Sequence, residues 1–226
     1  MLQRIGHLMR PLILILTLFI STVSNGQSNL EEHLSKAFCN CFSNQKTPSI
    51  VHVQNCFFKA SQENQDSLFT AIKSQYGEIS KETINKFSQG LLSKMSVSLV
   101  NDCNAYYKFM DTSRNSIYRD INKDSVKKSI QRMNTMNSEN RDKSFFIERG
   151  ERYFEISDLR RALTDFNSAL QLDSNSVLAN YFKALVLERN GNYEEAYNIC
   201  NKLTLLSNNL KYKILAAIVK RKKDGL

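Results

Sequence analysis

The sequence predicts an all-α protein in two parts: an N-terminal disulfide-stapled helical bundle, then a short array of helical hairpins. Three observations predict it. The 226 residues include only two Pro and seven Gly, so little punctuates the helices. No long alternating run of β-branched residues marks a half-buried strand. Residues 143–210 match themselves when shifted by 34 places, the mark of a stacked array, because one helix pair cannot bury its apolar face alone.

Residues 1–26 read as a secretory signal peptide. Arg4 and Arg10 flank the start, Leu12 to Ile20 is almost wholly apolar, and Ser24 and Gly26 stand at −3 and −1 before Gln27. The apolar run is shorter than the roughly 20 residues a membrane span needs. No Cys stands at the cleavage point, as a lipid anchor would require. The expectation is an exported protein, periplasmic or secreted, in a bacterial envelope.

Residues 27–110 are expected to form a cysteine-containing helical bundle. Leu30, Leu34, Ala37/Phe38 and Cys41 make one stripe. Thr47-Pro48 predicts the start of a second helix, with Thr47 as its cap. A third runs from Asp66 to Tyr76 and stops at Gly77, and Ser80 caps a long fourth that reaches Met110. Four of the five cysteines lie here: Cys39, Cys41, Cys56 and Cys103. An even number in an exported domain predicts two disulfides. Cys39 and Cys41, two apart on a helix, should not face each other, so each is expected to bond Cys56 or Cys103, with the choice open. The rival reading is a thiol- or metal-active domain, because His52 precedes Cys56 by one helical turn. The paired Cys-x-x-Cys knuckles of a structural zinc site are absent, and no metal or cofactor is predicted.

Residues 111–142 are polar and mixed in charge, and read as a linker containing at most a short helix from about Asp124 to Met133. Residues 143–226 hold two repeats and a C-terminal capping helix. The 34-residue shift lays Gly150 on Ala184, Tyr153 on Leu187, Leu159 on Tyr193, Ala162 on Ala196, Phe166 on Cys200 and Ala169 on Leu203. Small residues at 150, 162, 184 and 196 fit close helix crossings. Phe166, Leu170 and Leu172 carry apolar mass at helical spacing, and Asp158 caps the helix that follows it.

These residues resemble the tetratricopeptide repeat. Phe146 stands at the family's usual Trp, and Gly150, Tyr153, Ala162, Phe166 and Ala169 follow in the family's order. The second unit keeps Ala184 and the stretch Gly191-Asn192-Tyr193-Glu194-Glu195-Ala196, and departs at Asn180, Leu187, Cys200 and Leu203. The N-terminal part is also similar to exported helical domains of Bacteroidetes-type bacteria that carry Cys-x-Cys near the mature N-terminus. The repeat resemblance implies a groove lined by the first helix of each hairpin. Carried over, that groove shows Ile147, Glu151, Phe154, Glu155, Tyr181, Leu185, Glu188, Arg189 and Tyr212. The family's clamp for acidic C-termini is not expected, since Glu151 and Leu185 stand where it needs Asn. Two repeats make a short groove, to be completed by packing on the bundle or by self-association.

Charge and motifs limit the function. The formal net charge is +9, of which Arg4 and Arg10 belong to the signal segment. The rest is diffuse except for Lys220-Arg221-Lys222-Lys223, an expected helix end with at most peripheral membrane contact. No basic face interleaved with aromatics points to nucleic acid. There is no nucleophile elbow, phosphate-cradling loop or His-Glu-x-x-His. The predicted function is a non-enzymatic interaction protein that binds a protein or peptide segment in the groove.

Overall fold

Every regular element in the computed structural model is an α-helix; it describes residues 29–116, 118, 120–137 and 141–226. The expected signal segment, residues 1–26, lies outside these residues. The chain divides into two units, up to Leu99 and from Val100 to Leu226.

The first unit holds α1 (29–43), α2 (Ile50–Glu63), α3 (Gln65–Tyr76) and most of α4 (Lys81–Asp102). Spacing of four residues brings Leu30, Leu34, Phe38 and Phe42 to one buried face of α1, with the last two rings stacked at 5.4 Å. Phe87, Leu91, Met95 and Leu99 do the same on α4. Gly77 ends α3 at φ 79°, and its N–H reaches the Lys73 carbonyl at 2.8 Å. Ser80 opens α4 through a reciprocal pair: its hydroxyl accepts from Thr83 N, and its N–H donates to Thr83 Oγ1. The expected cap of α2 is corrected. Ser49, not Thr47, is extended and accepts from His52 N, so Pro48 lies before the helix rather than in its first turn.

Cys41 and Cys56 are joined across 15 residues, with Cα atoms 5.5 Å apart. A loop of that length gives about 3 kcal/mol by restricting the unfolded chain. Cys39 and Cys103 are also disulfide-bonded, so all four expected cysteines are oxidised.

The second unit adds α5 (Asn104–Ser116), α6 (Lys123–Asn134), α7 (Lys143–Glu155), α8 (Leu159–Leu172), α9 (Val177–Arg189), α10 (Tyr193–Leu206) and α11 (Leu210–Lys223). The repeat is visible in the boundaries: α9 and α10 each begin 34 residues after α7 and α8. Consecutive helices from α6 to α11 pack side by side. Asp142, Asp158 and Ser176 cap α7, α8 and α9 with side-chain oxygens. Ala162, Phe166 and Ala169 on α8, like Ala196, Cys200 and Leu203 on α10, are fully buried. A Cβ on Gly150 would lie 2.7 Å from Phe166 Cε1, so only glycine allows this crossing of α7 over α8. Leu170 packs, half-buried, on the small cluster of Ile147, Ala169 and Ala179, but Leu172 departs from expectation. The stripe 162/166/169 turns Leu172 off the inner face, and it ends exposed in the last turn.

Two further expectations change. The long fourth helix breaks at Cys103, whose carbonyl accepts from Tyr107 N to start α5. The expected linker, 111–142, falls inside the second unit. It contains the end of α5 and all of α6, whose Val126, Ile130 and Met133 are buried where α6 packs on α7. Their i, i+4, i+7 spacing is enough for an amphipathic helix once a neighbour covers it.

Candidate binding groove

The first helices of the hairpins, α7 and α9, and the capping helix α11 carry the expected groove residues. Four charged side chains meet there. Glu188, with a side chain 4% exposed, sits in the last turn of α9 and accepts 2.7 Å from Arg114 Nη1 and 2.8 Å from Lys222 Nζ. Arg114 Nη2 reaches the other oxygen of Glu188. Asp111 accepts 3.0 Å from Arg114 Nε and 3.0 Å from Lys222 Nζ. Two acids thus face two cations from three helices, and the cluster is formally neutral.

Burial alone would raise the Asp111 carboxyl, but the Lys222 ammonium and the Arg114 guanidinium outweigh it and hold it below its usual range. Burial likewise opposes charge on Lys222, and Glu188 and Asp111 reverse that, raising its pKa. Arg114 is raised in the same way by Glu188 and Asp111 against its own burial.

Beside this quartet lies an aromatic contact. The Tyr118 ring meets Phe154 edge to face at 5.1 Å, and the Arg189 guanidinium lies 3.8 Å from the Phe154 centroid and 5.0 Å from that of Tyr118. Burial pushes the Tyr118 phenol up to about 12, with Tyr181 and Glu151 nearby adding to the effect. Phe154 continues inward to Phe182, which stacks on Phe166 at 5.4 Å. Tyr181 and Tyr212 form a half-buried ledge, rings 5.7 Å apart, with Lys211 Nζ 3.8 Å from the Tyr181 centroid.

Of the nine expected groove residues, Phe154, Glu188, Arg189, Tyr181 and Tyr212 take part in these contacts. Phe154, Leu185 and Glu188 are buried, and Leu185 belongs to the core of the array. Ile147 instead packs with Ala169 and Ala179 in a small cluster between helices. Glu155 is held along α7 by Arg152 Nη1, at 2.9 and 3.0 Å. Glu151 stays half-buried, and burial raises its carboxyl. Asp111, Arg114, Tyr118 and Ile121 were not among the expected site residues, because their segment reads as polar linker. Ile121 packs on the core beside Tyr118.

The C-terminal cations have partners inside the second unit. Lys220 pairs with Asp224, Lys222 joins the quartet, and Lys223 lies 3.4 Å from Glu194. Arg221 donates to the carbonyls of Val100 and Asn101 and to Asn104 Oδ1, and lies over Tyr107. Arg221, Lys222 and Lys223 are therefore engaged in tertiary contacts, while Lys220 pairs locally at the helix end.

In the cysteine bundle the disulfides leave no thiolate at Cys39, Cys41, Cys56 or Cys103. His52 bonds the Ser49 hydroxyl through Nδ1 at 2.7 Å. Among the described residues no group of three His, Cys, Asp or Glu is arranged to hold a metal. Cys200 is a buried free thiol, pushed up to about 12 by burial. Disulfides of this kind belong to an oxidising, extracellular-type environment. Among the described residues no helix is long and apolar enough to cross a membrane.

Comparison of the chain with models of protein families, with curated proteins and with solved structures gave no match.

Proposed function

We propose that this chain is an exported adaptor of the tetratricopeptide type, which recognises a segment of a partner protein along the inner face of α7, α9 and α11. The observation that carries the reading is the Tyr181–Tyr212 ledge, an aromatic surface on α9 and α11 that stays part-exposed, with half-buried Glu151 nearby as an acidic group. Such a surface suits a peptide with apolar or aromatic anchors and a basic group. Export rests on the N-terminal signal pattern and is supported by the oxidised cysteines.

The test is site-specific photocrosslinking in the native host. A photoreactive residue at Tyr181 or Tyr212 should capture the same envelope protein, and one at Leu205, exposed on α10, should not. Equal capture from all three positions, or none from Tyr181 and Tyr212, would refute the groove as the binding surface.

A further inference from the structure

The first unit holds a cleft of its own, between α1, α3 and α4, with a volume of about 100 Å³. Its floor is apolar, made by buried Phe87 and Leu91 on α4, and it opens to solvent beside exposed Gly90. That glycine stands in the interior of α4 (Lys81–Asp102), where glycine weakens a helix relative to alanine. Packing does not require it. A Cβ on Gly90 meets nothing within 4 Å, whereas one on Gly150 meets Phe166. The missing side chain at Gly90 leaves a gap, not a close crossing.

The gap is framed by charge. Lys86, Gly90 and Lys94 follow at four-residue spacing, so they share one face of α4, each about 6 Å of rise from the next. Lys86 pairs with Glu82 on its own helix at 2.7 Å, and Lys94 with Glu31 on α1 at 3.0 Å. Both lysine side chains are more than half exposed, and pairs of this kind hold weakly, so either ammonium can turn to a ligand. On the opposite wall Gln75 Nε2 donates to Tyr76 Oη at 3.2 Å, and the phenol keeps its own hydrogen to donate. The lining therefore offers two ammonium groups and a phenol against one carboxylate, Glu31, that Lys94 already neutralises.

We propose that this cleft binds a small free monocarboxylate bearing a short aliphatic chain or a single aromatic ring. The apolar part lies over Gly90 on Phe87 and Leu91. The carboxylate at the mouth accepts from the Tyr76 hydroxyl and from one of the two lysines, as charge-assisted bonds. Size sets the class. A cavity of about 150 Å³ takes benzene, and drug-sized ligands need about 300 Å³ or more. A cleft of about 100 Å³, open on one side, takes one ring or a few carbons with the head group outside. Every lining residue belongs to the first unit, so this proposal and the adaptor reading fail separately.

The test uses the full chain, isotope-labelled for NMR, with benzoate and hexanoate as probes at low salt. Amide shifts at Tyr76 and Gly90 should saturate, with a dissociation constant of about 1 mM or below. Benzyl alcohol and hexanol, the uncharged counterparts, should bind about tenfold more weakly or worse. Gly90→Leu fills the gap and should weaken benzoate about tenfold or more. Should Gly90→Leu fail to fold, Gly90→Ala decides: its Cβ meets nothing, so the fold stays, and the added methyl should still weaken benzoate severalfold. No saturable shift with either acid, alcohols that bind as well as acids, or unchanged binding in the Gly90 variants overturns the proposal. A short peptide ending in phenylalanine that binds more tightly than benzoate assigns the cleft to a protein C-terminus and overturns the free-acid reading.

Discussion

Replacing Glu188 by glutamine keeps the shape of the side chain and removes one charge from a neutral quartet. The guanidinium of Arg114 and the ammonium of Lys222 then share Asp111 alone, leaving one uncompensated cation. At an effective dielectric constant near 20, each contact at about 4 Å is worth roughly 4 kcal/mol before desolvation is subtracted. Breaking a buried pair typically costs about 3–5 kcal/mol. The Arg114 and Lys222 side chains are about a fifth exposed, so water screens part of this, and a loss of about 2–4 kcal/mol is expected. Urea unfolding followed by circular dichroism measures it. Restoring neutrality by Glu188→Gln with Lys222→Met should recover part of the loss, with a coupling of about 1–2 kcal/mol.

The pH dependence follows from the directions of the two shifts. The lowered Asp111 pKa gives stability that is full above the unfolded carboxylate value, about 4, and is lost as pH falls through the folded value. The raised Lys222 pKa gives stability that is full below the unfolded value, about 10.4, and is lost as pH rises through the folded one. Asp111→Asn should therefore flatten the acid limb, and weaken the alkaline limb as well, because Asp111 helps raise the Lys222 pKa. If Glu188→Gln costs under 1 kcal/mol, or if its cost and that of Lys222→Met simply add, charge balance does not hold this corner together and the reasoning fails.

Two predictions concern the array. Gly150→Ala should destabilise the protein by about 1–2 kcal/mol, because overpacking against fully buried Phe166 exceeds the roughly 1 kcal/mol gain in helix propensity; thermal unfolding that shows equal or higher stability would refute this. Ser157, at φ 65°, occupies the turn position that Gly191 fills one repeat later at φ 77°, so Ser157→Gly should raise stability by about 1 kcal/mol, read as an increase in Tm of a few degrees.

The hairpin array was legible because its signals are local and repeated. Gly150 and Ala184 mark close crossings, Asp158 caps α8, and Phe166 and Cys200 hold the same buried position one period apart. The four oxidised cysteines were legible as a set. The break at Cys103 was not, since the same residues read as one continuous helical stripe. The short helix expected from about Asp124 to Met133 is present as α6, its signal carried by Val126, Ile130 and Met133; what their thin spacing among charges hid was that the helix packs into the second unit. Five of the expected groove residues gather at the site, while Ile147 is drawn between helices and Glu155 is held along its own helix by Arg152.

By itself the sequence determined the helical class, the period of 34 and the small residues at the crossings. Each of these depends on neighbours within a few turns of the same chain. Only the tertiary structure decided which charges meet Glu188. Arg114 and Glu188 stand 74 residues apart, and Lys222 lies 34 residues beyond Glu188. Nothing in a polar stretch announces that its arginine will neutralise a glutamate on a distant helix. That pairing exists only once folding has removed water from both charges and left each as the other's compensation.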